Sequence, residues 1–146
     1  MGFHFRFKTL LKVRKIREDL ALQEFSKAQK TLNDLSALKR LKDSKKSAVR
    51  KQLVQKIQRG VKPFELASYH AYLSHLDTEI DQLERLIIQA GRQLDIKREE
   101  YLKAKRDLKV MERLREIDEE KYQERQKKME MRFIDEIAIA RYGGRQ

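Results

Sequence analysis

The sequence has no cysteine and no tryptophan, and only one proline and five glycines in 146 residues. Without cysteine there is no disulfide, no thiolate metal site and no cysteine nucleophile, a usage compatible with the cytosol. No run of about 18 consecutive apolar residues occurs, so no transmembrane segment is expected. Arg6, Lys8, Lys12 and Arg14 interrupt what would otherwise be the apolar stretch of a secretory signal, and a cytoplasmic location is therefore expected. Of the three histidines, His4, His70 and His75, the last two are not stacked on one helical face as an i, i+4 pair would be, so no metal site is expected. A glycine-rich phosphate loop and a nucleophile elbow are both missing. The chain reads as a non-enzyme, with no catalytic residue and no cofactor.

What the sequence does have is charge and periodicity: 40% of its residues are charged, and one apolar seam runs alternately four and three residues apart. Its members are Tyr69, Leu73, Leu76, Ile80, Leu83, Ile87, Ala90, Leu94, Lys97, Tyr101, Ala104, Leu108 and Met111, broken only by Lys97. A mean step of about 3.5 residues keeps one stripe of a helix against a partner helix while the two supercoil. The one strong interruption is Arg59-Gly60-Val61-Lys62-Pro63. Glycine suits the left-handed position past a helix end and proline the first turn of the next helix. So short a linker makes the two helices antiparallel neighbours.

The expected fold is all-α: a single domain, residues 1–146, forming a long antiparallel two-helix coiled coil. Helix 1 spans about 8–58, the turn 59–63 and helix 2 about 63–140, on the boundary signals above. The seam assigned to helix 1 is Leu11, Val13, Ile16, Leu20, Phe25, Ala28, Leu32, Leu35, Leu38, Leu41, Val49, Leu53 and Ile57, and the polar run Lys42–Ser47 should pack loosely or fray. Helix 1 is about 75 Å long at 1.5 Å per residue and reaches roughly residue 113 of helix 2. Helix 2 then continues as a C-terminal overhang. Gly91, inside helix 2, is either a tolerated surface residue or a point of close backbone approach or a bend.

The net charge of +12 is uneven: residues 1–60 carry 17 Lys/Arg against 5 Asp/Glu, and residues 61–146 carry 18 of each. The basic part suits an acidic partner, whether protein, anionic membrane or nucleic acid, or is a solvated face. Two further patches stand out. Phe3, Phe5 and Phe7 alternate ahead of helix 1, and Phe133-Ile134-Asp135-Glu136-Ile137-Ala138-Ile139 lies near the C-terminus. The aromatic leader either staples onto the overhang or docks a partner, as exposed apolar clusters do.

Three stretches in order carry a resemblance: Phe3-x-Phe5-x-Phe7-Lys8-x-Leu10-Leu11-x-x-Arg14 with Glu18, Tyr69-x-x-Tyr72-Leu73-x-x-Leu76-x-x-x-Ile80, and Glu130-Met131-x-x-x-Asp135-Glu136-Ile137-Ala138. Together they resemble the flagellar export protein FliJ family, antiparallel coiled coils similar to the stalk subunit of rotary ATPases. The resemblance implies a soluble, non-catalytic component of the flagellar type III export apparatus. It implies three partners: the hexameric export ATPase, a membrane export-gate protein and export chaperones, with the chain peripheral at the cytoplasmic face of the cell membrane. Carried over, the gate contact falls on Tyr69, Tyr72, Leu73 and Leu76. Glu79 stands where the family often has a small residue. The ATPase contact falls on the paired termini, at Phe5, Arg6, Phe7, Lys8, Lys12, Arg14, Asp135 and Glu136. The alternative reading is a basic coiled coil that binds nucleic acid or, through Phe3 to Ile16, an anionic membrane; no base-reading motif supports the nucleic-acid form.

Overall fold

A computed structural model describes residues 2–143, which form two helices, α1 (Lys8–Arg59) and α2 (Pro63–Gly143), and no strand among the described residues. The helices pack against each other as a hairpin. Gly60 takes a φ of 94° at the end of α1, a conformation that costs glycine nothing and a side chain something. Its N–H donates to the Ile57 carbonyl at 3.3 Å. Pro63, lacking an N–H, opens α2 where that donor has no helical partner. Lys56 and Arg59 close α1 while Glu65 lies in the first turn of α2, so the side chains complement both helix dipoles.

The chain divides into two compact units, Ala21–Tyr101 and Met1–Leu20 with Leu102–Gln146. In the first, α2 supplies most of the core: Leu76, Ile80, Leu83, Ala90 and Leu94 are buried, and Tyr69, Leu73, Ile87, Lys97 and Tyr101 are half-buried. Every expected seam residue of α2 in this unit therefore faces inward. A strict 3.5-residue repeat can keep only one stripe against a partner. The helices are antiparallel, since Lys39 pairs with Glu84, Lys42 with Glu79, Lys46 with Asp77 and Lys56 with Glu65.

Those pairs correct the reading of α1. The residues that α1 turns inward are Phe25, Ala28, Leu32, Leu35, Lys39, Lys42, Lys46, Val49 and Leu53, alternately three and four apart, while Leu38, Leu41 and Ile57 are exposed. Lys39 and Lys42 thus occupy the seam in place of Leu38 and Leu41, and Lys46 occupies it where the polar run was expected to dilute it. The expected fraying at Lys42–Ser47 does not occur, because α1 is unbroken there. A lysine can cover apolar surface with its methylene stem and keep its ammonium at the rim. Here each rim carries a carboxylate of α2. At Gly91 a side chain would meet nothing within 4 Å, so the glycine does not admit a close neighbour, and α2 runs unbroken through it.

In the second unit α1 turns Leu11, Arg14 and Glu18 inward and leaves Val13, Ile16 and Leu20 exposed, again one stripe away from the expected seam. Opposite them, Leu108 and Met111 are buried. Arg14 Nη1 donates to the Asp107 carbonyl at 2.9 Å, which lets a guanidinium occupy a seam position without losing its hydrogen bonds. Inward-facing residues on α2 continue through Leu114, Ile117 and Asp118 to Tyr122, and all of 123–143 is exposed. The overhang begins at that point.

Candidate functional site

The residues singled out in the sequence fall on two surfaces, one on each unit. On the unit containing both chain ends, the aromatic leader folds onto α2. Phe5 is 4% exposed, its ring edge-on to Phe7 at 6.0 Å, and the Phe3 ring lies 5.6 Å from that of Tyr122. Of the two readings of the leader, stapling is the one realised, and it lands on the start of the overhang and not on Phe133–Ile139. The reason is local: the N–H of Lys8 bonds the Phe5 carbonyl and that of Leu11 the Phe7 carbonyl, so the chain enters α1 through a tight turn that folds the leader back.

The residues assigned to the ATPase contact therefore have unlike settings. Phe5 is core and Arg14 is tied to the α2 backbone. Phe7 is 38% exposed with the Arg6 guanidinium over its ring at 5.6 Å, and Arg6, Lys8 and Lys12 are exposed. Asp135 and Glu136 are exposed as well, but Asp135 lies 13 residues beyond Tyr122, about 20 Å along the helix. The acidic pair is not brought to the leader. At 100° per residue, Met131, Ile134, Ile137 and Ala138 share one broad face of the overhang, and Asp135, Glu136 and Arg132 lie on the other.

Periodicity alone did not reveal a lateral groove of about 690 Å³ on this unit, floored by Leu11, Ile16 and Leu108. Lys12 and Lys15 form its α1 wall, and Glu112, Glu116 and Glu119 stand with Arg115 on its α2 wall. Glu18 first, then Asp19 and Glu112, hold the Lys15 amine above its ordinary value. The signal available in the sequence is the acid stripe Glu112, Glu116, Glu119, spaced four and three.

On the unit 21–101, the residues assigned to the gate contact split by exposure. Leu76 is 1% exposed and belongs to the core; Tyr69 and Leu73 are half-buried. Tyr72 is 37% exposed with the Lys45 ammonium over its ring at 5.8 Å. Tyr72 alone of the four presents its side chain to solvent. Lys56 lies over the Tyr69 ring at 5.6 Å.

Beside them, Lys42 Nζ sits 2.7 Å from Glu79 Oε2 and His75 Nε2 sits 2.7 Å from Glu79 Oε1. Contact with the Lys42 ammonium holds the Glu79 carboxyl below the ordinary carboxylate value, against the opposing effect of burial, with His75 adding to the charge. A carboxylate whose pKa is lowered by folding stabilises the fold above its unfolded value and stops doing so as pH falls through its folded value. Stability should therefore drop as pH falls below the ordinary carboxylate range. Denaturant titrations of wild type and Glu79→Gln across that window should show a shallower pH dependence in the variant; parallel curves would exclude Glu79 as a source.

A family model described as Flagellar FliJ protein matches residues 3–146. The Flagellar FliJ protein of Bacillus subtilis (strain 168) is 25% identical over 142 residues, which are 97% of this chain and 97% of that protein. Among solved structures, a YscO homolog, CT670 from Chlamydia trachomatis, is matched over 99% of this chain and 100% of its own, at 18% identity and a TM-score of 0.45.

Proposed function

The chain belongs to the flagellar FliJ protein family, a family of flagellar protein-export components, and from that membership we propose that it is an adaptor of the export machinery, with a separate contact surface on each unit. The match over residues 3–146 carries the reading, because it takes in both the paired-end unit and the Tyr72 surface. The end carrying the leader, the groove and the overhang binds the export ATPase. The Tyr72 side of the unit 21–101 contacts the export gate at the cytoplasmic face of the membrane, and export chaperones meet the same protein.

The physics of the ATPase contact is differential binding. A two-helix end set in a six-fold ring cannot touch all subunits alike, so it favours one subunit conformation over the others and changes turnover by that difference in affinity. The exposed cations Arg6, Lys8 and Lys12 and the bipolar groove offer charge for orientation, and the apolar face of the overhang offers area. Glu79, held by Lys42 and His75, is committed inside the hairpin, which leaves Tyr72 as the principal gate contact.

The test is a turnover assay of the purified export ATPase with and without this chain, beside a pull-down on the gate protein's soluble domain. Added chain should raise ATP hydrolysis and ring assembly. An unchanged rate and oligomeric state, with the folded protein present in excess, would refute the ATPase arm. Loss of gate-protein capture with Tyr72→Ala is expected; undiminished capture would move the gate contact elsewhere.

A further inference from the structure

The turn end of the unit 21–101 combines two features that nothing above uses. Between Asp43 and Asp77 the sequence has one carboxylate, Glu65, against Lys45, Lys46, Arg50, Lys51, Lys56, Arg59 and Lys62. Glu65 is already paired with Lys56, and Lys46 with Asp77. The side chains of Arg50, Lys51, Arg59 and Lys62 make no ion pair or hydrogen bond among the described residues and are exposed, so their charge is open to solvent. On the same end, Phe64 is 83% exposed, and Ile57 and Val54 are more than half exposed. Ile57, Arg59, Lys62 and Phe64 all lie within four residues of Gly60, and Arg50, Val54 and Ile57 share one side of α1 at helical spacing.

We propose that this turn docks on an anionic lipid surface, with Phe64 and Ile57 entering the headgroup region and Arg59, Lys62, Arg50 and Lys51 meeting lipid phosphates. Unpaired cations around an exposed aromatic ring are the chemistry of interfacial binding: the charges supply attraction to acidic headgroups and the ring the apolar area to bury. A nucleic-acid backbone would satisfy the cations but has no use for exposed Ile57 and Val54, which is why the lipid is favoured. The turn carries no unpaired acid to repel the surface, since Glu65 is paired with Lys56. Tyr72 lies nine residues into α2 from Pro63, about 14 Å from the turn, so docking would hold the gate-contact residue just above the headgroups. The inference rests on the membrane-side placement proposed above.

Because the protein has no tryptophan, Phe64→Trp creates a single reporter at the turn, and Leu41→Trp, at an exposed site in mid-α1, a matched control. The full chain is mixed with vesicles of phosphatidylcholine alone or with phosphatidylglycerol, at low and physiological salt. With anionic vesicles only, the Phe64→Trp emission should shift to the blue and the Leu41→Trp emission stay put. In flotation, Arg59→Gln/Lys62→Gln should weaken binding roughly 25-fold, about fivefold per cation, and Phe64→Ser roughly tenfold, with helical circular dichroism unchanged. Absent binding at low salt, an unshifted Phe64→Trp, or variants that float like wild type would each overturn the proposal. Duplex DNA bound equally by wild type and Phe64→Ser, with vesicles left unbound, would overturn it in favour of nucleic acid. The vesicles contain no export protein, so failure here leaves the ATPase and gate readings to their own assays.

Discussion

Leu76→Ala should destabilise the hairpin by about 2–5 kcal/mol, the cost of emptying a fully buried leucine site. At 1% exposure Leu76 is the most deeply buried large side chain, and it is flanked along α2 by Leu73 and Ile80 of the same seam. A two-helix interface has no third layer that could collapse into the gap, so the larger part of that range is expected. Tyr72→Ala, four residues away, removes a ring that covers little and meets Lys45 at 5.8 Å; its cost should stay under about 1 kcal/mol. Urea unfolding followed by helical circular dichroism reads both. Equal losses would mean that Leu76 is not the core residue its burial indicates. The contrast matters for function as well. Lost gate binding in Leu76→Ala would report weakened folding, whereas the same loss in Tyr72→Ala would report a lost contact.

The second large effect is expected at Phe5. Phe5→Ala removes the one buried ring of the leader, where truncation of a buried phenylalanine costs about 3–5 kcal/mol. The leader is terminal, so this loss should open it locally and leave the helices standing, as free energy varies across a structure. The Phe3 contact with Tyr122 and the Phe7 contact with Phe5 lose their anchor together. Hydrogen exchange should speed up at Leu11 and the start of α1, and the backbone near residues 5–8 should become a protease site, while exchange at Leu83 and Leu94 stays slow. Binding to the export ATPase should fall in the same variant if the folded leader is part of that surface. Unchanged protection at α1's start would mean that the backbone turn alone holds the leader.

The α2 seam was legible residue by residue because it repeats without a competing stripe from Tyr69 to Met111. Even Lys97 kept its place, its ammonium turned to Glu100 at 3.3 Å. The seam of α1 was legible only in part. Leu11, Phe25, Ala28, Leu32, Leu35, Val49 and Leu53 were assigned correctly, and Val13, Ile16, Leu20, Leu38, Leu41 and Ile57 were not. Two stripes overlap on α1, and apolarity alone selects the wrong one where the true seam position is a charged residue such as Arg14, Glu18, Lys39 or Lys42. The same ambiguity touched the candidate gate residues, since a tyrosine or leucine at seam spacing reads alike whether it packs or binds.

The sequence by itself determined that the chain is two helices, where they part, which face of α2 packs and where the excess positive charge lies. Each follows from forces acting within a few residues: the φ freedom of Gly60, the missing donor of Pro63 and the period of a single helix. Only the tertiary structure decided which stripe of α1 meets α2, that Lys39, Lys42 and Lys46 belong to the interface and that the aromatic leader settles beside Tyr122. Those outcomes depend on groups far away along the chain. A lysine is an apolar stem with a charged end, and it lies at the interface only where a carboxylate such as Glu79 or Glu84 stands opposite to receive it.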